Sequence, residues 1–131
     1  MKEYAATVAG RPLRLRCVRM GEDFCLTLCG GEREHIGAVA VAQPRPSLAD
    51  PARMSATASV IALPGHQEDM LARELALKVA ASLNVAVCVA CGIHLRQPAP
   101  TLLDEALAAA RGLVDAFLAD LRNANPDKGM P

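Results

Sequence analysis

Between Ser55 and Gly92 the hydrophobic period changes twice, which constrains the fold more than any other stretch of the chain. In SATASVIAL the small hydroxyl residues Ser55, Thr57 and Ser59 alternate with Ala56, Ala58, Val60 and Ala62, the period-2 pattern of a strand with two unlike faces. The spacing then becomes helical. Leu71, Leu75, Val79 and Leu83 recur at every fourth position with Ala72, Ala76 and Ala80 beside them, so one apolar stripe faces a core. On the outer side, Asp69–Arg73 and Glu74–Lys78 stand at the spacing of helical ion pairs. Asn84 ends this helix, and VAVCVACG, residues 85–92, is apolar on both faces like a buried strand. A strand, helix, strand path follows.

The flanking segments extend this pattern. KEYAATVA (residues 2–9), PLRLRCVRM (12–20) and DFCLTLCG (23–30) are separated by Gly10-Arg11 and Gly21-Glu22, which reads as three antiparallel strands joined by tight turns. After a polar EREH comes IGAVAVAQ (36–43), a central strand. PRPSLADPARM (44–54) carries three prolines and is expected to be a loop. Gly92-Ile93-His94 leaves the last strand, Thr101 is the expected N-cap of a final helix through Leu121, and residues 123–131 form a frayed tail. The predicted architecture is a single α+β domain over residues 1–131, a two-layer sandwich with a mostly antiparallel sheet of about six strands and two helices on one face. Its alanine-rich core buries little area per residue, so a homo-oligomer is expected.

Composition narrows the function. The 131 residues carry 14 basic and 14 acidic side chains and three aromatics, Tyr4, Phe24 and Phe117. There is no net charge to attract nucleic acid and no platform on which bases stack. The opening MKEYAATVAGRPLRLR lacks the apolar stretch of a signal peptide and no run reaches the length of a membrane span, so the expectation is a cytoplasmic protein with no membrane partner. Five cysteines are read as reduced thiols. Cys88 and Cys91 spell C-x-x-C, but three residues apart on a strand they point to opposite faces, which suits neither zinc nor a redox pair.

All three histidines sit beside a glycine at an element end: His35 before IGAVAVAQ, His66 at the turn into the first helix, and His94 after VAVCVACG. Such places bring a ligand close to backbone, although three unrelated surface histidines would look the same. Arg45 stands between Pro44 and Pro46, a stiffened loop in which its planar fork suits a carboxylate or phosphate, with Ser47, Ser55 and Thr57 as further donors. At the start of the first helix Gly65 and His66 precede Glu68 and Asp69. The helix end favours an anion, the two carboxylates supply negative charge themselves as caps, and His66, Glu68 and His94 are the alternative ligand set for a divalent metal ion.

Four blocks, HIGAVAVAQPRPSL (35–48), SATASV (55–60), PGHQEDMLAR (64–73) and VACGIH (89–94), resemble in order and spacing the LpdD-like family of prenylated-flavin chaperones, associated with UbiD-type gallate and hydroxybenzoate decarboxylases. The resemblance implies binding of prenylated FMN and its delivery to, or maturation for, a UbiD-type decarboxylase, with a flavin prenyltransferase as donor; the decarboxylation itself belongs to the partner. It implies cofactor contacts at His35, Gly37, Arg45, Ser47, Ser55, Thr57, Gly65, His66, Gly92 and His94. With so few aromatics, an isoalloxazine ring must lie against aliphatic or Met side chains such as Met54 or Met70. Cys91, directly before Gly92, puts a thiol where the family pattern leads one to expect a small non-thiol residue.

Two other readings stay open at this stage. One is a small metal-dependent enzyme built on His35, His66 and His94 with Glu68 as general base. The other is a structural subunit of a decarboxylase complex that binds no cofactor.

Overall fold

A computed structural model describes residues 1–63, 68–96 and 99–125. Alternating residues build β1 (Lys2–Val8), β2 (Arg11–Met20) and β3 (Asp23–Gly31), followed by β4 (Glu34–Pro46) and β5 (Met54–Ala62). The helix α1 (Asp69–Leu83), β6 (Val87–His94) and the helix α2 (Pro100–Ala124) complete the chain. One mixed sheet has the order β1-β2-β3-β6-β4-β5, antiparallel throughout except between β3 and β6. The α+β class, the mostly antiparallel sheet and the two helices agree with the expectation from sequence.

The first two hairpins have two-residue turns. Ala9 and Gly10 both take positive φ (51° and 74°), the mirror-image turn that matches strand twist, so this turn lies one residue before the expected Gly10-Arg11. Gly21-Glu22 is the second, with Gly21 at φ 65°. Proline does not end β4: Pro44 and Pro46 pair with Ala56 and Met54 of β5. The loop expected there is strand because pairing of β4 with β6 stops at Ala42, leaving the proline positions on a two-stranded extension. Ser47 N–H bonds to the Arg53 carbonyl, so the intervening proline nitrogens face the unpaired side, where a missing donor costs nothing.

Leu13, Leu15, Leu26, Leu28, Val87 and Val89 are buried on the helix-covered face together with Ala38, Ala40 and Ala42. α1 lies over β4, β5 and β6, and α2 over β1 and β2. Ala72, Ala76 and Ala80 let α1 approach the alanines of β4, all six without solvent exposure. Under α2 the aromatics cluster: Phe117 meets Tyr4 and Phe24 edge-on at centroid distances of 6.2 and 5.2 Å. The Tyr4 hydroxyl donates to Asp120 at 2.6 Å.

Several local expectations need correction. The ion pairs of α1 close across to α2: Arg111 makes a bidentate pair with Glu74, and Lys78 bonds Asp115, while Asp69 and Arg73 do not pair. Two packed helices offer partners in better reach than the next turn of the same helix. Ala99, not Thr101, is the N-cap of α2, because Pro100 fits the first helical position with its φ preset and no amide to satisfy. β6 runs on to His94, and α2 continues through Asn123 and Ala124, so both end later than expected; the rest of the predicted tail, 126–131, lies outside the described residues. Asn84 closes α1 as expected, in the left-handed conformation at φ 55°.

Among the described residues, no helix covers the second sheet face. Val18, Val41 and Ile61 are 43%, 46% and 71% exposed there, in register rows with Cys25, Cys88, Val39 and Ser59. Cys88 and Cys91 do point to opposite faces, with Cys91 fully buried and Cys88 half-buried.

Candidate functional site

The start of β4, the end of β6 and the first turn of α1 meet at one end of the sheet. β4 bulges between Glu34 and Ala38, and the bulge turns His35 toward α1. His35 Nε2 lies 3.2 Å from Glu68 Oε1, with the two side chains 11% and 13% exposed. Glu68 Oε1 also accepts the Ile93 amide at 3.3 Å, tying the carboxylate to β6. His35 Nδ1 is 3.3 Å from the Arg33 carbonyl. Both ring nitrogens therefore face oxygen atoms, one of the backbone and one of a carboxylate. The rings of His35 and His94 meet edge-on, 6.3 Å between centroids.

The glycines explain how these groups come so close. A Cβ at Gly92 would collide with the His35 carbonyl, and one at Gly37 with the Glu68 carboxylate. At Gly31, φ 79°, a Cβ would strike the His94 carbonyl, which accepts the Glu32 amide at 2.8 Å. These glycines admit the protein's own polar groups, whereas their spacing beside histidines had suggested room for a ligand. Glu68, expected as a helix cap or metal ligand, makes no side-chain cap bond; its carboxylate is turned inward.

Beside Glu68 opens a cavity of about 360 Å³ between α1, β6 and α2. Its walls include Leu71, Ile93, Leu95 and Leu107, with Met70 and Leu103 at the rim, 72% and 44% exposed. Volume and lining are those of a small-molecule site: aliphatic walls and few polar groups. Cys91 stands behind this site on the core side. Burial pushes its thiol up to about 12, with the charges of Glu68 and Cys29 adding to the rise, so it is an inert core thiol.

The remaining predicted residues lie elsewhere. Arg45 is ten positions along β4 from His35, which at ~3.3 Å per residue places it roughly 30 Å away. There Arg45 donates to Thr57 Oγ1 at 2.6 Å and to the Pro46 carbonyl at 3.1 Å. Ser47 Oγ accepts the Ala49 and Asp50 amides, both at 3.3 Å, as a loop turn. Ser55 faces Arg45 across the β4–β5 ladder, and Met54 belongs to the same distant end. His35, Gly37, Glu68, Gly92 and His94 are thus brought together, and Arg45, Ser47, Ser55 and Thr57 form a separate cluster that no single phosphate can share with them. Gly65 and His66 lie outside the described residues. Sequence reasoning missed the cavity wall of Leu71, Ile93, Leu95, Leu103 and Leu107; only Met70 carried a signal, as an aliphatic candidate against a ring.

Among the described residues no group of three or more His, Cys, Asp or Glu side chains is arranged to hold a metal ion. No described helix is long and apolar enough to cross a membrane. In comparison with known proteins, the family model described as the prenylated flavin chaperone LpdD-like domain matches residues 7–122. No curated protein matches the chain.

Proposed function

The chain belongs to the LpdD-like prenylated flavin chaperone family, and on that premise we propose that it binds prenylated FMN at the His35–Glu68 end of the sheet and hands it to a UbiD-type decarboxylase. The observation that supports this site is the coincidence of a nearly buried His–Glu pair with an aliphatic cavity. In the partner, the bound flavin supplies the decarboxylation chemistry. This chain's part is to hold the ring away from water, with His35 and Glu68 fixed beside it, and to release the flavin intact.

His35, Gly37, Glu68, Gly92 and His94 are the residues we assign to this end; Gly65 and His66, outside the described residues, stay cofactor-binding candidates on the family resemblance alone. A flavin prenyltransferase is the donor in this scheme, and the cytoplasm is its setting. The uncovered sheet face with Val18, Val41 and Ile61 supports a homo-oligomer, because apolar side chains on a sheet gain by being covered. The metal-dependent reading draws no support from the described side chains.

The test is to mix the purified protein anaerobically with reduced prenylated FMN, desalt, and record the visible spectrum before and after air. Flavin that co-elutes, and that restores activity when the complex is added to an apo decarboxylase, is the expected result. Loss of all flavin on desalting, with or without a divalent ion, overturns the reading.

A further inference from the structure

The aliphatic cavity does not end at Leu107. It shares Met70, Leu71 and Leu107 with a neighbouring groove of about 540 Å³ that runs along α1 and α2 past Arg73, Glu74 and Arg111. The two adjoin at these shared side chains as a trough along the helices whose ends differ in character. At the Glu68 end the walls are aliphatic and the carboxylate is already engaged by His35 and the Ile93 amide. At the other end Glu74 and Arg111 neutralise each other as a bidentate pair. Arg73, exposed on α1, makes no ion pair with any described residue and is the cation left to meet a charged group.

Resting on the reading that the chain binds prenylated flavin, we infer that this trough sets the direction of the ligand. The uncharged ring with its prenyl-derived addition enters the cavity beside Glu68, and the phosphate lies along the groove at Arg73. A flavin has the matching polarity, with the apolar dimethylbenzene side of its conjugated ring at one end and a phosphate dianion at the other. The ring covers the exposed rim side chains of Met70 and Leu103, and the aliphatic addition removes more apolar surface from water than an unmodified ring does. The trough therefore prefers the prenylated over the ordinary flavin, while its Arg73 end takes the phosphate of either. Neither Arg45 nor Thr57 takes part.

Equilibrium binding followed by flavin absorbance and fluorescence separates the two ends. The ligands are reduced prenylated FMN, FMN, and lumiflavin, which keeps the ring and lacks the ribityl phosphate. Arg73→Ala is expected to weaken FMN and prenylated FMN about tenfold, the scale of a lost charge-assisted contact, and to leave lumiflavin as it was. Leu103→Trp, at the rim, is expected to weaken all three ligands. With no variant at all, lumiflavin competes for the wild-type site and inorganic phosphate alone does not displace it.

Equal binding of FMN to wild type and Arg73→Ala overturns the phosphate end. Displacement by phosphate but not by lumiflavin, or flavin binding unchanged in Leu103→Trp, overturns the ring end. In each of these cases flavin is still bound, so the proposed function stands. A folded wild-type protein that binds none of the three flavins removes the function and the inference together.

Discussion

His35 Nε2 and Glu68 Oε1, from residues 33 apart in the chain, stand 3.2 Å apart and nearly out of water. Truncating one partner of such a pair leaves the other's polar atoms poorly compensated, at a cost of about 1–3 kcal/mol. His35→Ala is therefore expected to lower the unfolding free energy by that amount, read as a lower urea midpoint at unchanged slope. His35→Gln, which keeps a donor toward Glu68, should recover part of it. Flavin retention should fall in both, and further in the alanine variant.

Arg45 provides a control at the far end of β4. Its guanidinium is engaged by Thr57 and the Pro46 carbonyl, about 30 Å from His35 at ~3.3 Å per residue. Arg45→Ala should leave retention of prenylated FMN on desalting unaltered, whereas His35→Ala reduces it. Equal losses in the two variants would relocate the site toward the β4–β5 turn.

Much of this arrangement is written in local periodicity. The stripe Leu71, Leu75, Val79 marks α1, and the alternation of Leu13, Leu15, Cys17 marks β2, because helix and strand periods depend only on near neighbours. The four family blocks likewise mark the His35, Glu68 and His94 segments. What periodicity does not carry is pairing over distance: that β6 inserts between β3 and β4, that the bulge at His35 needs Gly92, or that Glu68 turns inward instead of capping its helix. The cavity was illegible for the same reason. Its walls are ordinary core residues drawn from α1, the end of β6 and α2, and each one alone reads as packing.

Glu74 gives a pH signature for the helix pair. The hydrogen bonds from Arg111 hold its carboxyl below the ordinary carboxylate range, burial opposes them, and the charges of Arg111 and Lys78 add to the lowering. A group depressed on folding stabilises the protein above its unfolded pKa, and this contribution is lost as pH falls through its folded pKa. Wild type should thus unfold at higher urea than Glu74→Gln near neutrality, and the gap should close in acid. Both side chains are nearly half exposed, so salt should shrink the gap as well.

The thiols should divide by burial. Burial pushes Cys17 up to about 12, Cys91 likewise with help from Glu68, and Cys29 and Cys88 upward as well, so exposure and not acidity sets the order of reaction. Cys25 and Cys88 face each other across β3 and β6 on the uncovered sheet face, both half-buried. Titration of the native protein with a thiol reagent should therefore modify Cys25 and Cys88 slowly and leave the other three protected, with all five reacting in denaturant. Reagent uptake by the native Cys25→Ser, Cys88→Ser double variant would contradict the placement of the remaining thiols.

Two glycine substitutions should move stability in opposite directions. At Gly92 a methyl group meets the His35 carbonyl, backbone that retreats only if the β4 bulge opens and the His35–Glu68 contact is lost. Gly92→Ala is thus expected to cost about 1–3 kcal/mol, the scale of overpacking, and to abolish flavin retention. Gly112 lies inside α2 with nothing within 4 Å of where a Cβ would sit. Gly112→Ala should stabilise by about 0.5–1 kcal/mol through a lower entropy of the unfolded chain and leave flavin binding alone. Urea melts of both variants measure the pair. A harmless Gly92→Ala would mean that β4 and β6 do not approach each other at His35 as closely as the site requires.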